Sequence, residues 1–149
     1  MTEIRFYHLQ RRRLDSALPE LLAKSLERGW RCVVQAASEE RLQALDGHLW
    51  TYEPESFLPH GTARDPQPED QPIYLTTGPE TPNGADVRFV IEGAEIGDFA
   101  AHERVFFVFD DSDEAAVERA REAWKAAKAA GHDVTYWKQD AAGRWQKAA

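Results

Sequence analysis

Apolar residues change their spacing along this chain in a regular order, and that order restricts the fold more than any single motif does. From Glu3 to Leu9 apolar and polar residues alternate as on a half-buried strand. Leu14, Leu18, Leu21, Leu22 and Leu26 then fall on one helical stripe that ends at Gly29. Pro19 within the stripe predicts that regular helix begins near it. Trp30 to Ala37 reads as a second, more buried strand, and Ser38 as the N-cap of a helix carrying Leu42, Leu45 and Leu49. Pro72 to Thr76, Val87 to Ile91 and Arg104 to Phe109 read as further strands, with Pro79, Pro82, Asn83 and Gly84 marking the turn between the first two. Asp111 or Ser112 can cap a helix that Gly131 ends, and Val134 to Lys138 closes as a strand. Strands alternating with helices imply a layered α/β fold with a largely parallel sheet.

The chain has 149 residues, the usual size of one domain, so residues 1–149 are expected to form a single unit. Within it, residues 51–71 carry Pro54, Pro59, Pro66 and Pro68 and read as a long loop without regular structure. Residues 139–149 form an extension in which Gly143, Arg144 and Trp145 either make a hairpin with Tyr136 and Trp137 or trail as a loose tail. The single cysteine, Cys32, lies in an apolar run, has no partner for an internal disulfide, and suits a reducing cytoplasm. No apolar stretch approaches the roughly 20 residues that cross a bilayer, so neither export nor a membrane is expected.

Composition matters for what the chain can bind. With 26 acidic against 18 basic residues the formal charge is −8, which opposes unspecific binding to DNA phosphates and favours a protein partner. An acidic partner would have to be held by local cations against that field. The run Arg11-Arg12-Arg13 reads as a solvated loop.

Two segments supply candidate docking residues. His48 to His60 places Trp50, Tyr52 and Phe57 among Pro54 and Pro59, where ordinary helix or central strand is disfavoured. Aromatics there either fold back as a small satellite core or form a docking patch. Ala115 to Gly131 has an alanine stripe of Ala116, Ala120, Ala123, Ala127 and Ala130, suited to close packing on a sheet. Beside it Arg121, Trp124, Lys125 and Lys128 follow at helical spacing, an arrangement that suits an acidic peptide with one apolar anchor. The plainer alternative is a solvated face with Trp124 at the rim of the core.

Catalytic motifs are missing. Neither G-x-x-x-x-G-K-[ST] nor G-x-G-x-x-G occurs, so no phosphate cradle and no nucleotide cofactor are expected. His8, His48, His60, His102 and His132 are scattered singly and read as structural, with no metal site expected. Cys32 inside a strand is badly placed for a nucleophile. The one enzyme-like feature is an apolar strand ending in Asp110, Asp111 and Asp113, which could hold Mg²⁺ in a small phosphotransfer or nuclease-like enzyme. Helix capping explains the same carboxylates more simply. A generic α/β module whose aromatics mark a homodimer is a third reading.

Several stretches together resemble the chi subunit family of the bacterial DNA polymerase III clamp loader. They are Phe6-Tyr7-His8-Leu9, Arg28-Gly29-Trp30-Arg31, Ser38-Glu39-Glu40-Arg41, Leu45 to Trp50, Ser56-Phe57-Leu58-Pro59-His60 and Arg121 to Gly131. They occur in the family's order and approximate spacing across about residues 3 to 138. The resemblance implies a Rossmann-like sheet without a nucleotide-binding motif and a non-catalytic adaptor in DNA replication. Its implied partners are the clamp-loader psi subunit and the acidic, phenylalanine-ended tail of single-stranded-DNA-binding protein, with DNA engaged only indirectly. Arg121, Trp124, Lys125 and Lys128 match the family's positions for the tail. Trp50, Pro54, Phe57, Leu58 and Pro59 match its region for psi, a patch that some members share with a helicase-like repair protein. The acidic and proline-rich insert from Thr62 to Gln71 is expected to alter access to that patch.

Overall fold

Three strands buried along their whole length organise the molecule. The computed structural model describes residues 2–10, 13–51, 60–62, 67–92, 94, 102–140, 142 and 144–148, with the side chains of Asp15, Trp50 and Thr51 excepted. Its elements are β1 (Glu3–Leu9), α1 (Leu14–Glu27), β2 (Cys32–Gln35), α2 (Glu39–Thr51), β3 (Ile73–Thr76), β4 (Val87–Ile91), β5 (Arg104–Asp110), α3 (Glu114–Ala129), β6 (Asp133–Gln139) and β7 (Trp145–Lys147). The strands form one sheet in the order β3-β2-β4-β5-β1-β6-β7. Every neighbouring pair is parallel except β6 and β7. This is the layered, largely parallel α/β fold that the alternation of spacings implies.

Register follows from side-chain alternation. Phe6 on β1 stands opposite Phe107 on β5 and Tyr136 on β6, and Tyr7 opposite Val108 and Trp137. Successive residues of a strand point to opposite faces, so the sheet carries two cores. On one face Leu9, Val34, Phe89 and Phe106 pack under the leucines of α1 and α2. On the other, Ile4, Phe6, Phe107 and Phe109 pack under Ala116, Ala120 and Ala127 of α3. Complete burial of each such aliphatic or phenyl side chain is worth about 1.5–3 kcal/mol, which makes the sheet faces the main source of stability.

Several elements depart from the sequence reading, each for a local reason. Helix α1 starts at Leu14 and runs through Pro19 rather than beginning near it. Proline forfeits one backbone bond, but Leu14, Leu18, Leu21 and Leu22 are all buried, and their burial outweighs the loss. Strand β2 is shorter than Trp30 to Ala37, because Trp30 belongs to the end of α1. Gly29 adopts φ +80° and the Trp30 N–H donates to the Ser25 carbonyl at 3.1 Å. Ser38 does cap α2, accepting from the Arg41 N–H at 3.2 Å. The cap of α3 is Asp113, not Asp111 or Ser112, and its carboxylate accepts from the Ala116 N–H at 3.1 Å.

The loop over 51–71 is not wholly without regular structure. Thr51 is the last residue of α2, and residues Pro68–Asp70 make a 3-10 turn. Gly61 forms a parallel bridge to β3, donating to the Ile73 carbonyl at 3.0 Å and accepting from the Leu75 N–H at 2.8 Å. At the other end the extension makes the hairpin rather than a loose tail, with Trp137 opposite Lys147 and Gln139 opposite Trp145. Asp140 closes its turn by accepting from the N–H groups of Ala142 and Arg144, both at 2.9 Å. The bond from the Arg144 N–H, then that from Ala142 and the Arg144 charge, hold this carboxyl below the usual carboxylate range.

Arg88 is the one arginine of β4 and is almost completely buried. Its guanidinium donates to Gln35 Oε1 at 2.8 Å, to the carbonyls of Gly78, Pro79 and Glu80 at 3.2, 2.9 and 2.7 Å, and to Thr81 Oγ1 at 3.2 Å. It thereby straps the loop after β3 across the sheet, with carbonyl dipoles in place of a carboxylate. Burial lowers its pKa, opposed by the field of Glu80.

Replacing Arg88 by Ala is expected to lower unfolding stability in urea by about 2–4 kcal/mol, since three loop carbonyls, Gln35 and Thr81 lose a charged donor together. Asp140→Ala is expected to speed hydrogen exchange at the Trp145–Lys147 amides while leaving β1 and β5 protected. In the unaltered chain the contribution of Asp140 is present above its unfolded-state pKa. It should fade only as pH falls through the lowered native one, so the hairpin amides should deprotect on acidification below the ordinary aspartate range.

Candidate peptide-docking site

Helix α3 is positioned by its small residues. Ala116, Ala120 and Ala127 are buried on the sheet and Ala123 is partly buried. Ala130 departs from the expected stripe: it is the C-cap and exposed, because the helix ends at Ala129 and Gly131 turns the chain with φ +79°. Glu114 in the first turn complements the helix dipole.

Close approach of α3 to the sheet sets Trp124 at the helix edge, half-buried. Its ring meets Phe6 edge-on at 5.5 Å and Tyr136 edge-on at 5.6 Å. Trp124 is therefore both a rim residue of the core and partly open to solvent. Lys128 Nζ lies 5.1 Å from the Trp124 ring centre, within cation–π range. Lys125 is exposed. Arg121 is 71% exposed and touches Glu118 at 3.9 Å, an exposed pair worth little energy. The residues expected to meet a peptide tail thus share one side of α3.

Strand β6 adds residues that the sequence did not single out. The Tyr136 hydroxyl lies 2.7 Å from His8 Nδ1, and His8 Nε2 lies 2.6 Å from Asp111 Oδ1. An ionised carboxylate only accepts, so Nε2–H donates to Asp111, and in the neutral ring Nδ1 accepts the Tyr136 hydroxyl proton. Burial raises the pKa of Tyr136, the Arg121 charge counters it, and Asp111 adds to it. His8 is therefore a buried, bonded histidine, as expected. His60 is another, its Nε2 2.9 Å from Asp46 Oδ1. Alternation along β6 was the only signal that could have put Tyr136 on the α3 side.

The carboxylates after β5 divide among separate partners. Asp110 Oδ1 accepts from both the N–H and the hydroxyl of Ser112 at 2.9 Å, Asp111 holds His8, and Asp113 caps α3. Their bonds diverge, and among the described residues no group of three His, Cys, Asp or Glu side chains is arranged to hold a metal ion. Cys32 is buried and its thiol is pushed up to about 12, chiefly by that burial, which suppresses the thiolate a nucleophile requires. Among the described residues no helix is long and apolar enough to cross a membrane. Pro54, Phe57, Leu58 and Pro59, and the side chain of Trp50, lie outside the described residues; Trp50 itself stands in the last turn of α2.

Residues 1–135 match the model of the family described as DNA polymerase III chi subunit, HolC. The chain belongs to the chi subunit family. A curated chi relative, the probable DNA polymerase III subunit chi of Rickettsia prowazekii (strain Madrid E), is 32% identical over 96 residues. That match covers 64% of this chain and 58% of the relative. The family match stops within β6, so β7 and the end of the hairpin lie beyond it.

If Asp113 serves this chi-family chain only as a cap, Asp113→Ala should cost about 1 kcal/mol of stability. Millimolar Mg²⁺ should then leave the melting temperature of both forms unchanged; a Mg²⁺-dependent rise in the unaltered chain would restore the metal reading.

Proposed function

We propose that this chain is a non-catalytic accessory subunit of the DNA polymerase III holoenzyme, working in the cytoplasm as part of the clamp loader. In this reading it bridges the psi subunit and the acidic C-terminal tail of single-stranded-DNA-binding protein. Arg121, Trp124, Lys125 and Lys128 take the tail, and Trp50, Pro54, Phe57, Leu58 and Pro59 take psi, a patch that a helicase-like repair protein can share. Membership of the chi family supports the replication role. The single observation that carries the tail assignment is the half-open Trp124 with Lys128 over its ring and exposed Arg121 and Lys125 beside it.

Physical chemistry favours a modest affinity. Burying the tail's phenylalanine contributes about 1.5–3 kcal/mol and each charge-assisted contact about 1.5–3, against association costs of about 4–15. The balance lies on the order of micromolar. Such a contact releases readily, and several tails on one partner can restore avidity. A net charge of −8 keeps direct phosphate binding weak, so the chain reaches DNA through the protein that coats it.

Titration of a synthetic acidic peptide ending in phenylalanine tests the reading. Lys125→Glu should weaken binding at least about tenfold with the melting temperature unchanged, and added salt should weaken it in the unaltered chain. Phe57→Ala should leave the peptide affinity alone. Equal affinity in the unaltered chain and Lys125→Glu would remove the tail assignment.

A further inference from the structure

The rings beside α3 form a right-angled corner. Phe6 and Tyr136 lie nearly parallel on the sheet, 12° apart with centres 6.2 Å from each other. Trp124 stands over both, at 70° to Phe6 and 82° to Tyr136. Phe6 is fully buried and backs the corner, whereas Trp124 and Tyr136 are half-buried and give its two open sides. Each wall carries its own ammonium group. Lys128 Nζ lies 5.1 Å from the Trp124 ring centre and Lys138 Nζ 5.8 Å from that of Tyr136. Lys138 is exposed, on the same face of β6 as Tyr136.

Tyr136 is held from behind. Its hydroxyl proton goes inward to His8 Nδ1, and His8 is fixed in turn by Asp111 and by stacking on Phe109 at 4.8 Å. With the hydroxyl occupied, what this residue can offer a ligand is the face of its ring. Two perpendicular rings give an entering phenyl group one stacked and one edge-on contact, the two geometries that aromatic pairs prefer. An ammonium on each wall gives carboxylates a partner on both sides of that phenyl group.

From this geometry we infer that the tail site extends off α3 onto β6: Tyr136 is its second aromatic wall and Lys138 a fourth cation. The ligand is an acidic peptide that ends in an aromatic residue with a free carboxylate. The inference rests on the tail-binding reading above and assigns β6 residues that the α3 stripe does not contain. It also answers the charge problem, because cations on two elements concentrate positive potential at one corner of a chain whose net charge is −8.

Calorimetric titration of the full-length chain with the acidic, phenylalanine-ended peptide tests it. The variants are Lys138→Glu, Lys138→Arg, Lys125→Glu and, as control, Lys147→Glu. Lys147 pairs with Trp137 and so shares the opposite face of the sheet, where Trp137 joins the other core. Lys138→Glu should weaken binding about tenfold, Lys138→Arg should stay within about threefold, and Lys147→Glu within about twofold, because exposed charges act mainly within a Debye length. Replacing the peptide's terminal phenylalanine by alanine should weaken it about tenfold in the unaltered chain. Lys138→Glu behaving like Lys147→Glu while Lys125→Glu still weakens binding would overturn the extension and leave the α3 reading standing. No binding to the unaltered chain would overturn both.

Discussion

The pairing of β1 between β5 and β6 is the constraint on which the rest depends. It places Phe6 against Phe107 and Tyr136 across three strands that are distant in sequence. Those rings make the floor on which the alanines of α3 rest, and the floor decides how far out Trp124 sits. A slip by one residue would turn Phe6 and Tyr136 to the other face, leaving α3 without its seat. Core packing and the proposed docking corner are thus two uses of one register.

Charge is distributed with a similar economy. The chain is acidic overall, yet α3 has Glu114 in its first turn and Lys128 in its last, the order the helix dipole favours. As an unpartnered cluster Asp110, Asp111 and Asp113 would repel one another. Instead each is committed to a different donor, to Ser112, His8 or the helix terminus. Arg88 solves the converse problem, a buried cation whose two terminal nitrogens bond to carbonyls at the mouth of a loop.

The fold was legible because it depends on local spacing. The run from Val87 to Ile91 coincides with β4, and the leucines of α1 and α2 lie in the core as their periodicity implied. Boundaries that depend on tertiary contacts were not legible. Trp30 reads as strand by composition but is drawn into the turn that ends α1 and sits between Arg28 and Arg104, 5.0 and 4.3 Å from their guanidinium carbons. Which aspartate caps α3 was undecidable from three near neighbours, because His8, 103 residues away, removes Asp111 from the choice. At the site, the side of α3 bearing Trp124 could be read from a helical wheel. Alternation puts Tyr136 and Lys138 on one face of β6, but only the parallel register of β6 on β1 brings that face beside α3.

The hairpin that ends the chain has a bearing on how the molecule tolerates company. A parallel sheet finishing at β6 would leave a seven-residue strand with a row of unclaimed backbone donors and acceptors. Strand β7 takes part of that row, is only three residues long, and ends in Lys147, so what it leaves open is short and charged. On the far edge, the bridge from Gly61 occupies the middle of β3. Among the described residues, then, each rim of the sheet offers another strand only a short or interrupted row of backbone groups to pair with.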